Sequence, residues 1–200
     1  MDGTAGRAGY RRSAGSARGE ARRLELLEKV SDELGVNGLV DFSLRRAARA
    51  AGTTHKVLLY YFDGPEDLLT QAVLRLRTRR IDRSMAAAAS ADLTLAGRVR
   101  AMWPVLIGEE AWVLDQAIGL AMYDSGRYAQ LAREASKQYL PFLLSICPAD
   151  WDAQRKHEVA ELILGVLRGF LVEWRTSGDA AGIEAGFAAL DRALTAEESA

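Results

Sequence analysis

The stretch Ser43–Phe62, SLRRAARAAGTTHKVLLYYF, decides how this chain is read. Ser43 is a good N-cap, because a serine oxygen can accept from an otherwise orphaned N–H of a first helical turn. Behind it Leu44, Ala47, Ala48 and Ala51 recur at helical spacing, while Arg45, Arg46 and Arg49 point elsewhere. Gly52 stops that helix, and Thr53 or Thr54 can cap another after a tight connection. HKVLLYYF on its own reads equally well as a buried strand. Its surroundings favour helix: no neighbouring segment offers a strand to pair with. Thr54, Leu58, Tyr61 and Phe62 share one helical face and leave His55, Lys56, Leu59 and Tyr60 off it.

Working outward, Leu27, Val30 and Leu34 predict a helix before this stretch, which Gly35 is expected to close. After it, Gly64 is a candidate N-cap, Pro65 suits the first helical position, and Glu66 and Asp67 complement the helix dipole. A fourth helix therefore starts here, with Leu69, Ala72, Val73 and Leu76 inward and the alanine-rich MAAAASAD as its fraying end. Further helices are predicted at about 94–107, 109–124, 127–146, 152–176 and 180–194, with Pro104 and Pro141 expected to kink or interrupt theirs. Residues 1–20, rich in Gly, Ala, Ser and Arg without apolar period, read as a flexible basic arm. The expectation is an all-α chain of about nine helices: an N-terminal three-helix domain over 21–67, then a helical domain over 68–200.

Composition agrees with a folded, water-soluble chain: 200 residues, 49% hydrophobic, net charge −1. Residues 1–83 hold 16 Lys+Arg against 11 Asp+Glu, a balance of +5, and the remainder holds 10 against 16, a balance of −6. A basic part joined to an acidic one suits a protein whose first part meets a polyanion. The single cysteine, Cys147, and the lack of an apolar signal core predict a reducing cytoplasm. The apolar run VAELILGVLRGFLV is broken by Glu161 and Arg168 and is too short for a bilayer, so no membrane anchor is expected. Two histidines, His55 and His157, without a phosphate loop, nucleophile elbow or cysteine cluster, leave no catalytic residue, no metal site and no cofactor to assign.

A capped helix, a glycine turn and a second short helix with a polar start make a helix-turn-helix, whose second helix enters the major groove of DNA. At this point the sequence resembles the tetracycline-repressor (TetR) family of bacterial transcription regulators. The family pattern runs from a serine-capped SLRxIAxAAG helix through VSxGTLYxYF to xSKExLL, and the chain offers SLRRAARAAG, TTHKVLLYYF and DGPEDLL without a gap. Pro65 stands where the family commonly has lysine, Leu59 replaces a common tyrosine, and Lys56 and Val57 stand where glycine and threonine are usual. By position, Thr54, His55, Lys56 and Tyr60 are the candidate DNA contacts, with Ser43, Thr53 and Arg45 as contacts to the DNA backbone nearby.

One such module covers one half-site, so a palindromic operator calls for a homodimer. The resemblance implies that C-terminal helices from each subunit form the interface. Two apolar stripes along HEVAELILGVLRGFLVEW, and the pairs Gly165/Gly169 and Gly182/Gly186, fit close helix approach. The candidate interface residues are Leu162, Val166, Gly169, Phe170, Ile183, Phe187 and Leu190. Between module and interface, Met102, Trp103, Leu106, Trp112, Gln116, Met122, Tyr123, Tyr139 and Phe142 are candidates for lining a cavity for a small apolar or aromatic effector. The expected function is a ligand-released DNA-binding regulator, a repressor. The alternative is a helical ligand-binding or interaction protein whose helix-turn-helix no longer reads DNA.

Overall fold

The computed structural model describes residues 16–90 and 94–200, and they form nine α-helices and no strand. The helices are α1 (Ala17–Asn37), α2 (Leu44–Ala50), α3 (His55–Tyr61), α4 (Pro65–Ala89), α5 (Leu95–Ile107), α6 (Trp112–Tyr123), α7 (Ser125–Ile146), α8 (Ala153–Thr176) and α9 (Ala180–Ser199). A 3-10 turn, Glu109–Ala111, precedes α6. The chain forms two compact units, residues 1–76 and 77–200.

In the first unit the caps are the ones the sequence advertises. Ser43 Oγ accepts from the Arg46 N–H at 3.3 Å and Thr54 Oγ1 from the Val57 N–H at 3.4 Å, which starts α2 and α3 where their orphan donors need partners. Gly52 has φ +62°, a conformation glycine adopts without a Cβ penalty, and the Thr53 N–H reaches the Ala48 carbonyl at 2.9 Å. Leu26, Val30, Leu34, Leu58, Leu68, Ala72 and Val73 are fully buried, and each leucine contributes about 1.5–3 kcal/mol by leaving water. Arg23 binds α1 to α4: its guanidinium lies 5.3 Å over the Phe62 ring and donates to Gln71. The Asp63 N–H donates to Asp67 Oδ2 at 2.9 Å, so the first turn of α4 caps backward onto the loop before it.

Arg46 has a role that its place in an arginine-studded helix concealed. Its Nε meets Glu33 Oε1 at 2.6 Å, and its two terminal nitrogens donate to the carbonyls of Val40 and Gly38 at 2.6 Å each. One half-buried guanidinium thus clasps α1, α2 and the loop between them, using the planar fork that lysine lacks.

In the second unit, α7 packs on α6 and α8, and α9 packs on α5 and α8. Leu95, Met102, Leu143, Ile163, Phe187 and Leu194 lie at its centre. Thr94, Asp152 and Asp179 cap α5, α8 and α9. Arg98 donates to the last carbonyl of α7, at Ile146, over 2.8 Å.

Several expectations are corrected. The first helix begins at Ala17 and ends at Gly38 rather than Gly35, because Gly38 carries the left-handed φ of +72° that terminates a helix and Gly35 is buried inside it. Residues 17–20 of the expected arm are helical, and its first fifteen residues lie outside the described ones. The alanine run stays helical to Ala89, as alanine's propensity favours. Pro104 and Pro141 interrupt nothing: each lies in the last two turns of its helix and removes one backbone donor without breaking the run. The compact units divide at 76/77, within α4, and Leu68, Leu69, Ala72, Val73 and Leu76 are buried. Ile183, Phe187 and Leu190, expected at a subunit interface, are buried in the chain's own core because α9 turns that stripe onto α5 and α8.

Candidate nucleic-acid interface and ligand cavity

Buried Leu58 anchors α3 to its unit, which leaves the opposite side of this seven-residue helix outward. There His55, Lys56 and Leu59 are exposed and Tyr60 is half-buried, its ring edge-on to Tyr61 with centroids 4.7 Å apart. Thr54 is exposed at the helix start, Thr53 is half-buried in the turn, and Ser43 and Arg45 are exposed at the start of α2. The structure therefore puts Ser43 and Arg45 at the start of α2, Thr53, Thr54, His55 and Lys56 in the turn and at the start of α3, and Tyr60 near the end of α3. Pro65, exposed at the first position of α4, offers neither an N–H nor a charge there.

Two concavities adjoin each other in the second unit. An inner cavity of about 40 Å³ is lined by Met102, Leu106, Leu114, Ile118, Leu143, Leu164, Leu167 and Leu171, with Arg77, Arg80, Tyr139 and Arg168. Beside it an open groove of about 620 Å³ runs along α6 and α8, lined by Trp112, Asp115, Gln116, Ile118, Met122, Arg168, Gly169, Leu171, Val172, Arg175 and Thr176. Ile118, Arg168 and Leu171 belong to both.

The polar end is densely charged. Arg77 is only 1% exposed and Arg80 is buried, a costly position for guanidinium groups without compensation. Arg80 donates from Nε to Tyr139 Oη at 2.6 Å, lies 5.0 Å over the same ring, and meets Asp115 at 3.6 Å. Asp115 also receives Arg175 Nε at 2.9 Å. Burial pushes the Asp115 carboxyl above its ordinary value although Arg80 and Arg175 pull the other way, and it pushes the Tyr139 phenol up as well. Burial pulls Arg168 below its ordinary value; exposed Glu161 opposes that and the charge of Arg80 adds to it.

Of the nine residues expected to line an effector site, Met102, Leu106 and Tyr139 line the inner cavity and Trp112, Gln116 and Met122 line the groove. The other three do neither. Trp103 sits in an aromatic cluster, 5.3 Å from Phe187, 6.2 Å from Phe170 and 6.4 Å from Trp174 between centroids. Tyr123 is 91% exposed at the end of α6, and Phe142 faces a separate hollow with Arg98 and Met85. Arg77, Arg80, Arg168, Arg175 and Asp115 line these concavities too and were not among the expected residues. The available signal was Arg168 within the apolar run of α8, and Arg77 and Arg80 among the inward residues of α4.

Leu162 is 46% exposed and Val172 63% exposed on α8, with Gly165 and Gly169 between them; a Cβ added at either glycine would meet nothing within 4 Å. Val166 and Phe170 are half-buried against the chain's own core. Gly186 differs: an added Cβ would lie 2.5 Å from Phe170 Cε1, so here α9 comes close to α8 within the chain. No helix of the described residues is long and apolar enough to cross a membrane.

The chain matches no protein-family model and no curated protein sequence. Solved structures do match. A TetR-family transcriptional regulator from Cytophaga hutchinsonii superposes with a TM-score of 0.69 at 15% identity, over 90% of this chain and 96% of that one. The chain has the TetR-family fold. Two further structures of this fold were solved with ligands. The multidrug binding protein EbrR, complexed with proflavin, gives a TM-score of 0.63 at 19% identity over 86% of this chain and 98% of its own. The transcriptional regulator FadR from Bacillus subtilis, in complex with stearoyl-CoA, gives 0.59 at 16% over 86% and 96%. The TetR fold thus extends over nearly the whole chain, well beyond the segment whose motifs resemble the family.

Proposed function

We propose that the chain is a TetR-family regulator that binds a palindromic operator as a homodimer through α3, and that a small molecule bound among α4 to α8 releases it, making it a repressor. The observation that carries this reading is α3 itself: a capped helix held by Leu58 and Phe62, with Thr54, His55 and Lys56 at its start and Tyr60 near its end, within a fold shared with transcription regulators. Its length and polarity suit a major groove, where early residues of a recognition helix reach base edges and phosphates. The exposed α8 stripe Leu162, Gly165, Gly169 and Val172 supports a second copy, since small residues allow close helix approach. The inner cavity and groove support a ligand, as do the molecules held by EbrR and FadR. The effector acts by linkage: it weakens DNA binding by its differential affinity for the two states, typically about 1–3 kcal/mol.

The test is fluorescence anisotropy with labelled DNA from upstream of the protein's own gene, at several salt concentrations. Affinity should fall steeply with salt. Lys56→Ala should weaken binding and reduce the salt slope by about 1, and Tyr60→Ala should relax sequence preference. Binding no tighter than to random DNA, or independent of salt, would favour the second reading, a ligand-binding protein that no longer reads DNA. Exposed Leu59 on the outer face of α3 and Pro65 at the start of α4 are the observations on that side.

A further inference from the structure

The outward face of α3 is not uniformly polar. Leu59 lies one turn beyond His55 and Lys56, at spacings of four and three, so the three side chains share one side of the helix. All three are exposed, Leu59 at 48%. That exposure is enforced by its neighbours: Leu58 is fully buried and Phe62, one turn after it, is 3% exposed, so α3 cannot roll Leu59 inward without lifting both from the core.

When a helix is laid into a major groove, its outward face is the one that loses water. A leucine there neither donates nor accepts a hydrogen bond, so against a phosphate or a polar base edge it displaces water without replacing it. The groove offers one apolar feature among the four bases, the C5-methyl group of thymine. A protein partner is a poorer fit. Among the described residues, the other large exposed apolar side chains of the first unit are Leu24, Val36 and Val40, on α1 and the loop after it. A single leucine beside His55 and Lys56 is not the contiguous patch that protein docking uses.

We infer that Leu59 is a specificity-determining residue that selects thymine, through its methyl group, at one position of each operator half-site. The role rests on the regulator reading above. The contacts expected from the sequence all carry a polar side-chain atom, and Leu59 adds one made by apolar contact alone.

The test uses duplexes that the full-length protein enriches from a randomised pool, with each thymine then replaced in turn by deoxyuridine. Uracil pairs as thymine does and lacks only the methyl group. Fluorescence anisotropy should find one thymine per half-site whose replacement weakens binding about threefold to fourfold, the scale of one buried methyl group, and about tenfold when both half-sites are altered. Leu59→Ala, a change that favours helix, should bind the enriched duplex about as weakly as the unaltered protein binds its uracil form, and should not distinguish thymine from uracil at that position. Leu59→Gln keeps the length of the side chain without its apolar end, and should show the same indifference should the alanine variant fail to fold. Enrichment without a methyl-sensitive thymine, or sensitivity that persists in the folded variants, overturns the role of Leu59 and leaves the regulator reading standing. A pool that yields no duplex bound more tightly than random DNA refutes the regulator reading, and the role of Leu59 with it.

Discussion

Replacing Gly186 by alanine sets two forces of similar size against each other, and the structure says which wins. In the middle of α9, glycine to alanine should stabilise the helix by about 0.8–1 kcal/mol, through backbone entropy alone. The new Cβ, however, would stand 2.5 Å from Phe170 Cε1 and 2.7 Å from its Cζ, against about 3.5–4.0 Å for carbon atoms at rest. The ring has to withdraw by about 1 Å, and it is already held against Phe187, 4.7 Å away, and Trp103, 6.2 Å away. Overpacking of this kind costs about 1–3 kcal/mol, so the net change is a destabilisation of about 1 kcal/mol. Urea denaturation followed by circular dichroism, at one protein concentration, measures it. The same substitution in a Phe170→Leu background removes the obstacle and should stabilise by the helix term, giving opposite signs in the two arms of a double-mutant cycle. If Gly186→Ala stabilises the unaltered protein by the full helix term, α8 and α9 are not as close as described and the reasoning fails.

Other outcomes follow from single contacts. Arg46→Met should lower stability to urea by about 1–2 kcal/mol, because it leaves the half-buried Glu33 carboxylate with Asn37 alone and takes a donor from the Gly38 carbonyl; a loss under about 0.5 kcal/mol would show the clasp to be incidental. Burial pushes the Cys147 thiol up despite Lys156 and Arg98, so the native protein should react with a disulfide reagent at pH 8 about a hundredfold more slowly than the unfolded chain, and equal rates would refute this. Hydrogen bonds from Lys29 and then Arg22 lower the Glu25 carboxyl from 4.5 to about 2. A lowered acid favours the folded state above 4.5 and loses that contribution as pH falls toward 2, so carbon-13 NMR should show Glu25 titrating below the other glutamates and Lys29→Met should raise its midpoint; an unshifted midpoint refutes the pairing.

The helix-turn-helix was legible because its signals are local: Ser43, Gly52 and Thr54 act within four residues of where they stand. Termini set by tertiary demand were not. Gly35 and Gly38 are alike in sequence, and only the loop clasped by Arg46 decides which of them ends α1. The aromatic residues of the middle helices divide among cavity, groove, core and solvent according to how α5, α6 and α8 rotate against their neighbours, which periodicity leaves undetermined. Trp103 went to the core and Tyr123 to solvent for that reason. Leu162 and Val172 of α8 are exposed while Ile183, Phe187 and Leu190 of α9 are buried, a difference that apolar spacing alone does not distinguish. Arg77 and Arg80 are buried, which arginines rarely are, and only the packing of the second unit reveals it.

Two of the three groups that Arg46 grips are main-chain carbonyls, at Gly38 and Val40. Every amino acid carries that oxygen, so the grip is blind to what the intervening positions are made of. Drift at exposed Val40 should pass without reorienting α2, while drift at Arg46 should not, and Asp41, at φ +59°, should accept chiefly glycine and asparagine. A saturation library across Val40, Asp41 and Arg46 would read out as one permissive column, one narrow one and one nearly empty one.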